Sequence, residues 1–177
     1  LVREWAARGR YLFSTDEISR ALGVSDTAAR AALRRLKAKG EIASPHRGFH
    51  LYVPAENQSL GCLPHEQFVP QLMERLSLPH YAGLLTAARY HGATHQQPQQ
   101  FDVVVPKNRP AIRCGRVEIE FVARHNAAAV LTERVNTPRG FLQVSSPEAT
   151  AFDLVGYHER CGGLDNVVTV LAELAEK

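Results

Sequence analysis

Three groupings of side chains in this chain of 177 residues have the type and spacing to do chemistry. The first is acidic. Asp102 followed by Glu118 and Glu120 is a partial match to a metal-dependent nuclease, which wants a strand-borne aspartate and then Glu-x-Lys. The third position is Glu120 and no lysine follows, so the positioning or basic group is missing. These acids read more simply as the wet side of a strand. The second grouping is His91 and His95, four apart, but Gly92 and the Gln/Pro stretch after it interrupt a helix, which argues against a metal pair. There is no phosphate-binding glycine loop and no Ser or Cys nucleophile motif. The third grouping is basic: Thr27, Arg30 and Arg34 at helical spacing, Arg35, Lys37 and Lys39 beside them, then His46 and Arg47. Such side chains reach base edges and phosphates, so nucleic-acid binding is the chemistry to follow.

The distribution of charge agrees. Residues 1–53 carry ten Lys/Arg against five Asp/Glu, and the rest carry eleven against thirteen, for a net +3. A basic head on a slightly acidic body points to a polyanion partner for the head and a separate task for the body. With 45% hydrophobic and 22% charged residues, the chain has the balance of a globular protein, not a disordered tail. No apolar run approaches the roughly 20 residues that span a bilayer, and the mixed charges of the first residues show no signal peptide. Cys62, Cys114 and Cys161 lie too far apart for zinc-ligand pairs and fit reduced, buried thiols in the cytoplasm. Residue 1 is not methionine and the last residues read as helix, so the chain is expected to be a fragment.

The head has the elements to position its cations. After a short helix anchored by Trp5, Tyr11-Leu12-Phe13 reads as a strand. Ser14 or Thr15 can cap the next helix, whose first-turn acids suit the helix dipole and whose stripe is Ile18, Ala21 and Leu22. Gly23 ends it. Ser25 caps a second helix, 26–39, with Ala29, Ala32, Leu33 and Leu36 facing inward and the basic edge outward. Two helices joined by a glycine turn, the second basic outside, form a helix-turn-helix pattern. Strands at 41–44 and 49–53, joined by a basic tip at 45–48, add a wing. Thr27, Arg30 and Arg34 are expected at base edges. Ser25 and Asp26 are placed where phosphates are gripped, Arg35 flanks them, and His46 and Arg47 are expected on backbone or minor groove.

Residues 54–64, with two prolines, read as a linker between a winged-helix domain (1–53) and an α+β domain (65–177). In the body, 66–76 and 81–90 look helical. Strands are expected at 101–105, 111–114, 117–122, 130–135 and 140–144, making a small mixed sheet. A helix capped by Ser146 with Pro147 in its first turn carries Phe152, Leu154 and Val155, and a last helix follows Gly162-Gly163.

With these segments in place, the chain resembles the AbiEi family, the antitoxins of type IV toxin–antitoxin systems. The likeness rests on Thr15-Asp16-Glu17-Ile18 through Leu22-Gly23-Val24-Ser25 and on Arg34 through Ile42 in the head. In the body it rests on Tyr81-Ala82-Gly83-Leu84-Leu85-Thr86-Ala87-Ala88 and on Ser146-Pro147-Glu148-Ala149-Thr150-Ala151-Phe152-Asp153-Leu154. The residues themselves offer no catalytic constellation and call for no cofactor; the resemblance implies a cytoplasmic bacterial protein paired with a nucleotidyltransferase-like toxin. The head would repress its own promoter at inverted repeats of double-stranded DNA, as a dimer on DNA. The body would counter the toxin, with no stable complex required and no membrane partner. The competing reading is a ligand-sensing winged-helix regulator unconnected to a toxin.

Overall fold

The computed structural model describes residues 1–93 and 100–176. His95 lies outside them. The fold is α+β, in two compact units: residues 1–68 with 112–118, and residues 69–111 with 119–177.

In the first unit, α1 (Val2–Ala7) precedes β1 (Leu12–Ser14), α2 (Thr15–Leu22) and α3 (Asp26–Ala38), and β2 (Ile42–His46) and β3 (Phe49–Tyr52) form the wing. Ser14 caps α2 in a reciprocal capping box: its Oγ accepts from the Glu17 N–H at 3.2 Å, and its own N–H donates to Glu17 Oε2 at 2.6 Å. Gly23 adopts the left-handed conformation at the end of α2. The three strands pair antiparallel in the order β1-β3-β2. Phe13, Ile18, Ala29, Leu33 and Ile42 form the core, with Trp5 edge-on to Phe13 at 5.9 Å. Leu22, expected in the stripe of α2, is about half exposed.

The wing differs from expectation at its tip. Strand β2 runs on through Pro45 to His46, which pairs with Phe49, so the turn is only Arg47-Gly48. Pro45 is accommodated because the register shifts between Ala43 and His46, a bulge where a missing N–H costs no ladder bond. The expected linker, 54–64, holds a 3-10 turn at Ala55–Asn57 and the fully buried Cys62 and Leu63. Leu60 O accepts from the Arg116 N–H at 2.8 Å within the same unit. Cys62 and Cys114 are buried free thiols that hydrogen-bond to each other; the Cys62 thiol is pushed up by that bond and by burial, whereas the bond holds Cys114 low.

The second unit contains α4 (Val69–Arg75), β4 (Tyr81–Ala82), α5 (Leu84–Tyr90), β5 (Phe101–Val105), β8 (Thr132–Thr137), β9 (Gly140–Ser145), α6 (Pro147–Gly156) and α7 (Leu164–Ala175). With β7 (Val117–Ala123), which enters this unit at Ile119, the strand order is β7-β5-β4-β9-β8, whereas β6 (Ile112–Cys114) belongs to the first unit. The sheet is mixed: β5 runs parallel to β7, β4 parallel to β9, and the other recorded pairs are antiparallel. Two helical expectations change. Residues 65–67 form a 3-10 turn before a shorter α4. Residues 81–82 are a strand, because Tyr81 and Ala82 pair with Val104 and Val103 and their backbone groups join the ladder. At Gly83, which follows in extended conformation, a Cβ would sit 2.6 Å from the Val104 Cγ2 methyl, so a side chain there would force Val104 to shift. On α6, Leu154 is buried, whereas Phe152 and Val155 are exposed.

Candidate nucleic-acid interface

At 3.6 residues per turn, positions 27, 30, 34 and 37 of a helix lie along one edge. On α3 these are Thr27, Arg30, Arg34 and Lys37, all exposed. With Leu33 they line a groove of about 460 Å³, whose other residues are Thr15 from α2, Ser44 from β2 and His50 from β3. Among the described residues, none of Arg30, Arg34, Lys37 and Arg47 forms an ion pair. A carboxylate on a neighbouring element is instead occupied: Glu17 pairs with Arg10. Burial pushes the Glu17 carboxyl up, but the Ser14 N–H and hydroxyl and the Arg10 guanidinium outweigh it and hold the acid low.

The remaining expected residues fall around this edge. Ser25 Oγ accepts from the Ala28 N–H at 3.3 Å, so the hydroxyl caps α3, and Asp26 is exposed in the first turn. Arg35 is exposed but lies one residue, about 100°, round the helix from Arg34 and does not line the groove. On the wing, Arg47 is exposed at the turn, and His46 is half-buried with Nδ1 3.2 Å from Arg47 O.

The groove holds three residues that sequence reasoning did not find. The His50 ring lies between two hydroxyls, with Nδ1 2.8 Å from Ser44 Oγ and Nε2 3.0 Å from Thr15 Oγ1, and it stacks on Phe13. Alternation along 49–52 separates His50 from the buried Phe49 and Leu51. The meeting with Thr15 and Ser44 depends on strand pairing that composition does not encode.

The polar residues of the body's motif segments turn inward. Tyr81 Oη donates to Asp153 Oδ2 at 2.9 Å, Arg124 Nη1 donates to Tyr81 Oη at 3.3 Å, and Arg124 pairs with Asp153. Asp153 is only 2% exposed. Burial pushes its carboxyl up, against the lowering pull of the Tyr81 hydroxyl and the Arg124 guanidinium. Ser146 caps α6 through the Ala149 N–H at 3.3 Å, and Thr150 Oγ1 donates to Ser145 O at 3.2 Å.

The acidic trio does not converge. Glu118 pairs with Arg113 at 2.6 Å, and Glu120 lies opposite Asp102 in the β5–β7 register. Asp102 is not on a wet face: β5 is covered on both sides, and Asp102 is buried. Burial raises its carboxyl to about 7 with help from Glu120, while Gln100, Arg160 and Thr86 pull it down. Among the described residues, no group of three or more His, Cys, Asp or Glu side chains is placed to hold a metal ion. His91 is occupied elsewhere, with Nε2 2.7 Å from Ser145 O. Among the same residues, no helix is long and apolar enough to cross a membrane.

These two sets of residues coincide with two family matches. Residues 1–53 match the model of the transcriptional regulator, AbiEi antitoxin, and residues 81–177 match that of the AbiEi antitoxin C-terminal domain. The chain belongs to the AbiEi antitoxin family. A comparison with curated proteins finds no match. Within this AbiEi chain, the head-family match covers the basic groove, and the C-terminal match covers Tyr81, Arg124 and Asp153. The protein is a toxin–antitoxin regulator by family.

Proposed function

We propose that this AbiEi protein is a DNA-binding autorepressor and antitoxin. The observation that carries the reading is the outer edge of α3, where Thr27, Arg30, Arg34 and Lys37 stand exposed and unpaired with carboxylates among the described residues. A helix of this kind enters the major groove, where arginine reads guanine O6 and N7. Ser25, Asp26 and the first amides of α3 lie where the duplex backbone passes, and Arg35 flanks that path. His46 and Arg47 would meet the adjacent phosphates or the minor groove. Inverted repeats would bring two heads to one site, so the protein dimerises on DNA.

The second half of the proposal concerns the body. It counters a nucleotidyltransferase-like toxin encoded in the same operon, without catalysis of its own and without a stable complex. The Tyr81–Arg124–Asp153 network, with Tyr81 and Asp153 buried and Arg124 partly exposed, supports a scaffolding role for the motif residues, because these contacts tie β4, the end of β7 and α6 together. The test has two parts. A gel shift with the upstream DNA of the protein's own operon should be competed by that DNA and not by unrelated duplex. Co-expression of the whole chain with the neighbouring toxin gene should restore growth. Equal competition by any duplex would remove the operator assignment, and failure of the whole chain to restore growth would remove the antitoxin assignment.

A further inference from the structure

We infer that the groove between α3 and the wing is a built seat for one phosphate group, with the hydroxyls of Thr15 and Ser44 as donors oriented by His50. The inference rests on the DNA-binding reading above and deepens it. Its starting point is the pair of contacts on one imidazole, Ser44 Oγ at 2.8 Å from Nδ1 and Thr15 Oγ1 at 3.0 Å from Nε2. A neutral ring has one N–H and one bare nitrogen. The hydroxyl that donates to the bare nitrogen is used up, but the hydroxyl that accepts from the N–H keeps its own proton for another acceptor. If the ring carries both protons, both hydroxyls are released in this way. In either state at least one O–H donor is left over, and both hydroxyls line the groove.

What that donor meets is decided by the other residues of the groove. Arg30, Arg34 and Lys37 line it, and no carboxylate does. Cations without counter-charge and hydroxyl donors without an acceptor suit an oxyanion with several acceptor oxygens, and charge-assisted hydrogen bonds are the stronger kind. The ring is fixed by stacking on Phe13, with centroids 5.9 Å apart, so the donors are held in place before a ligand arrives. The ligand chemistry is a phosphate, which can come from a duplex backbone or from a free phosphate ion.

Two arms of one experiment, on the full chain, separate these sources. The variants are Thr15→Val with Ser44→Ala, which removes both donors, and Ser44→Thr, which retains a hydroxyl; thermal melts establish that each is folded. In the first arm, affinity for operator and for unrelated duplex is measured by fluorescence anisotropy. Loss of a backbone contact weakens both by a similar factor, about tenfold for a charge-assisted bond, because phosphate contacts carry no sequence information. Ser44→Thr alone retains wild-type affinity. In the second arm, inorganic phosphate is titrated into DNA-free protein and the His50 imidazole resonances are followed. A saturable shift present in the wild type and absent in the double variant assigns the seat to free phosphate as well. A response in either arm supports the seat and names its source. Unchanged affinity for both duplexes together with no saturable shift overturns it. That outcome leaves the DNA-binding reading standing if Arg30→Ala and Arg34→Ala still reduce operator affinity.

Discussion

Two buried carboxylates in this protein are both pushed up by burial, but they keep different partners. Asp102 sits in the sheet with Glu120 opposite and with Gln100 Nε2 donating to it at 3.2 Å. Its folded carboxyl titrates at about 7, against about 3.9 in an unfolded chain. Between those values the folded state keeps a proton that the unfolded state has lost, so stability falls as pH rises from about 4 to about 7 and then levels. At about 1.4 kcal/mol per unit, the loss is on the order of 4 kcal/mol. Asp102→Asn removes it: urea denaturation at pH 5 and pH 8 should show the variant gaining on the wild type by a few kcal/mol at the higher pH. A difference that does not change with pH would contradict the account. Asp153 has a hydroxyl and a guanidinium beside it instead. Asp153→Ala leaves both without their acceptor and should cost about 3 kcal/mol in the same measurement, with Asp153→Asn milder. A loss below about 1 kcal/mol would mean that the network contributes little.

At the level of elements, the backbone constrains the sequence most where segments far apart in the chain touch. Gly115 has φ +61°, and a Cβ there would lie 2.2 Å from Leu60 O, a backbone atom with no freedom to move aside. Gly115→Ala should therefore destabilise the first unit by more than the ~1 kcal/mol of a left-handed alanine, read as a lower melting temperature. An unchanged melting temperature would show that the 60–61 and 115–116 segments separate without cost. This contact also shows which parts of the fold were legible in the sequence. The caps Ser14, Ser25 and Ser146, the inward stripe of α3, and the alternation of 117–121 were readable because each is a local pattern. The strand at 81–82 was not, since its reason is pairing with residues 103–104. The burial of Asp102 was hidden for the same reason: only the neighbours of β5 decide that both of its faces are covered.

Across the whole molecule, the proposed division of labour follows the division of charge. The candidate interface was legible as a basic edge, Thr27 to Arg34, because helical spacing alone collects those residues. Lys37 joined that edge and Arg35 left the groove through the same periodicity, whereas Thr15, Ser44 and His50 arrived through tertiary pairing. The proposal that the winged helix contacts DNA with two separate parts makes separable predictions. Arg47→Ala at the wing turn should weaken binding to any duplex alike and lower the slope of log K against log salt by roughly 0.9, one phosphate contact. A sequence-dependent loss would place Arg47 on bases instead. The α3 arginines should behave in the opposite way, and the most direct measurement of the central claim is their effect on specificity. With operator and unrelated duplex measured side by side at one salt concentration, Arg30→Ala and Arg34→Ala should each cost about 1–3 kcal/mol on the operator and much less on the unrelated duplex, so that the affinity ratio collapses. An affinity ratio unchanged by both substitutions would contradict the assignment of α3 as the element that reads DNA.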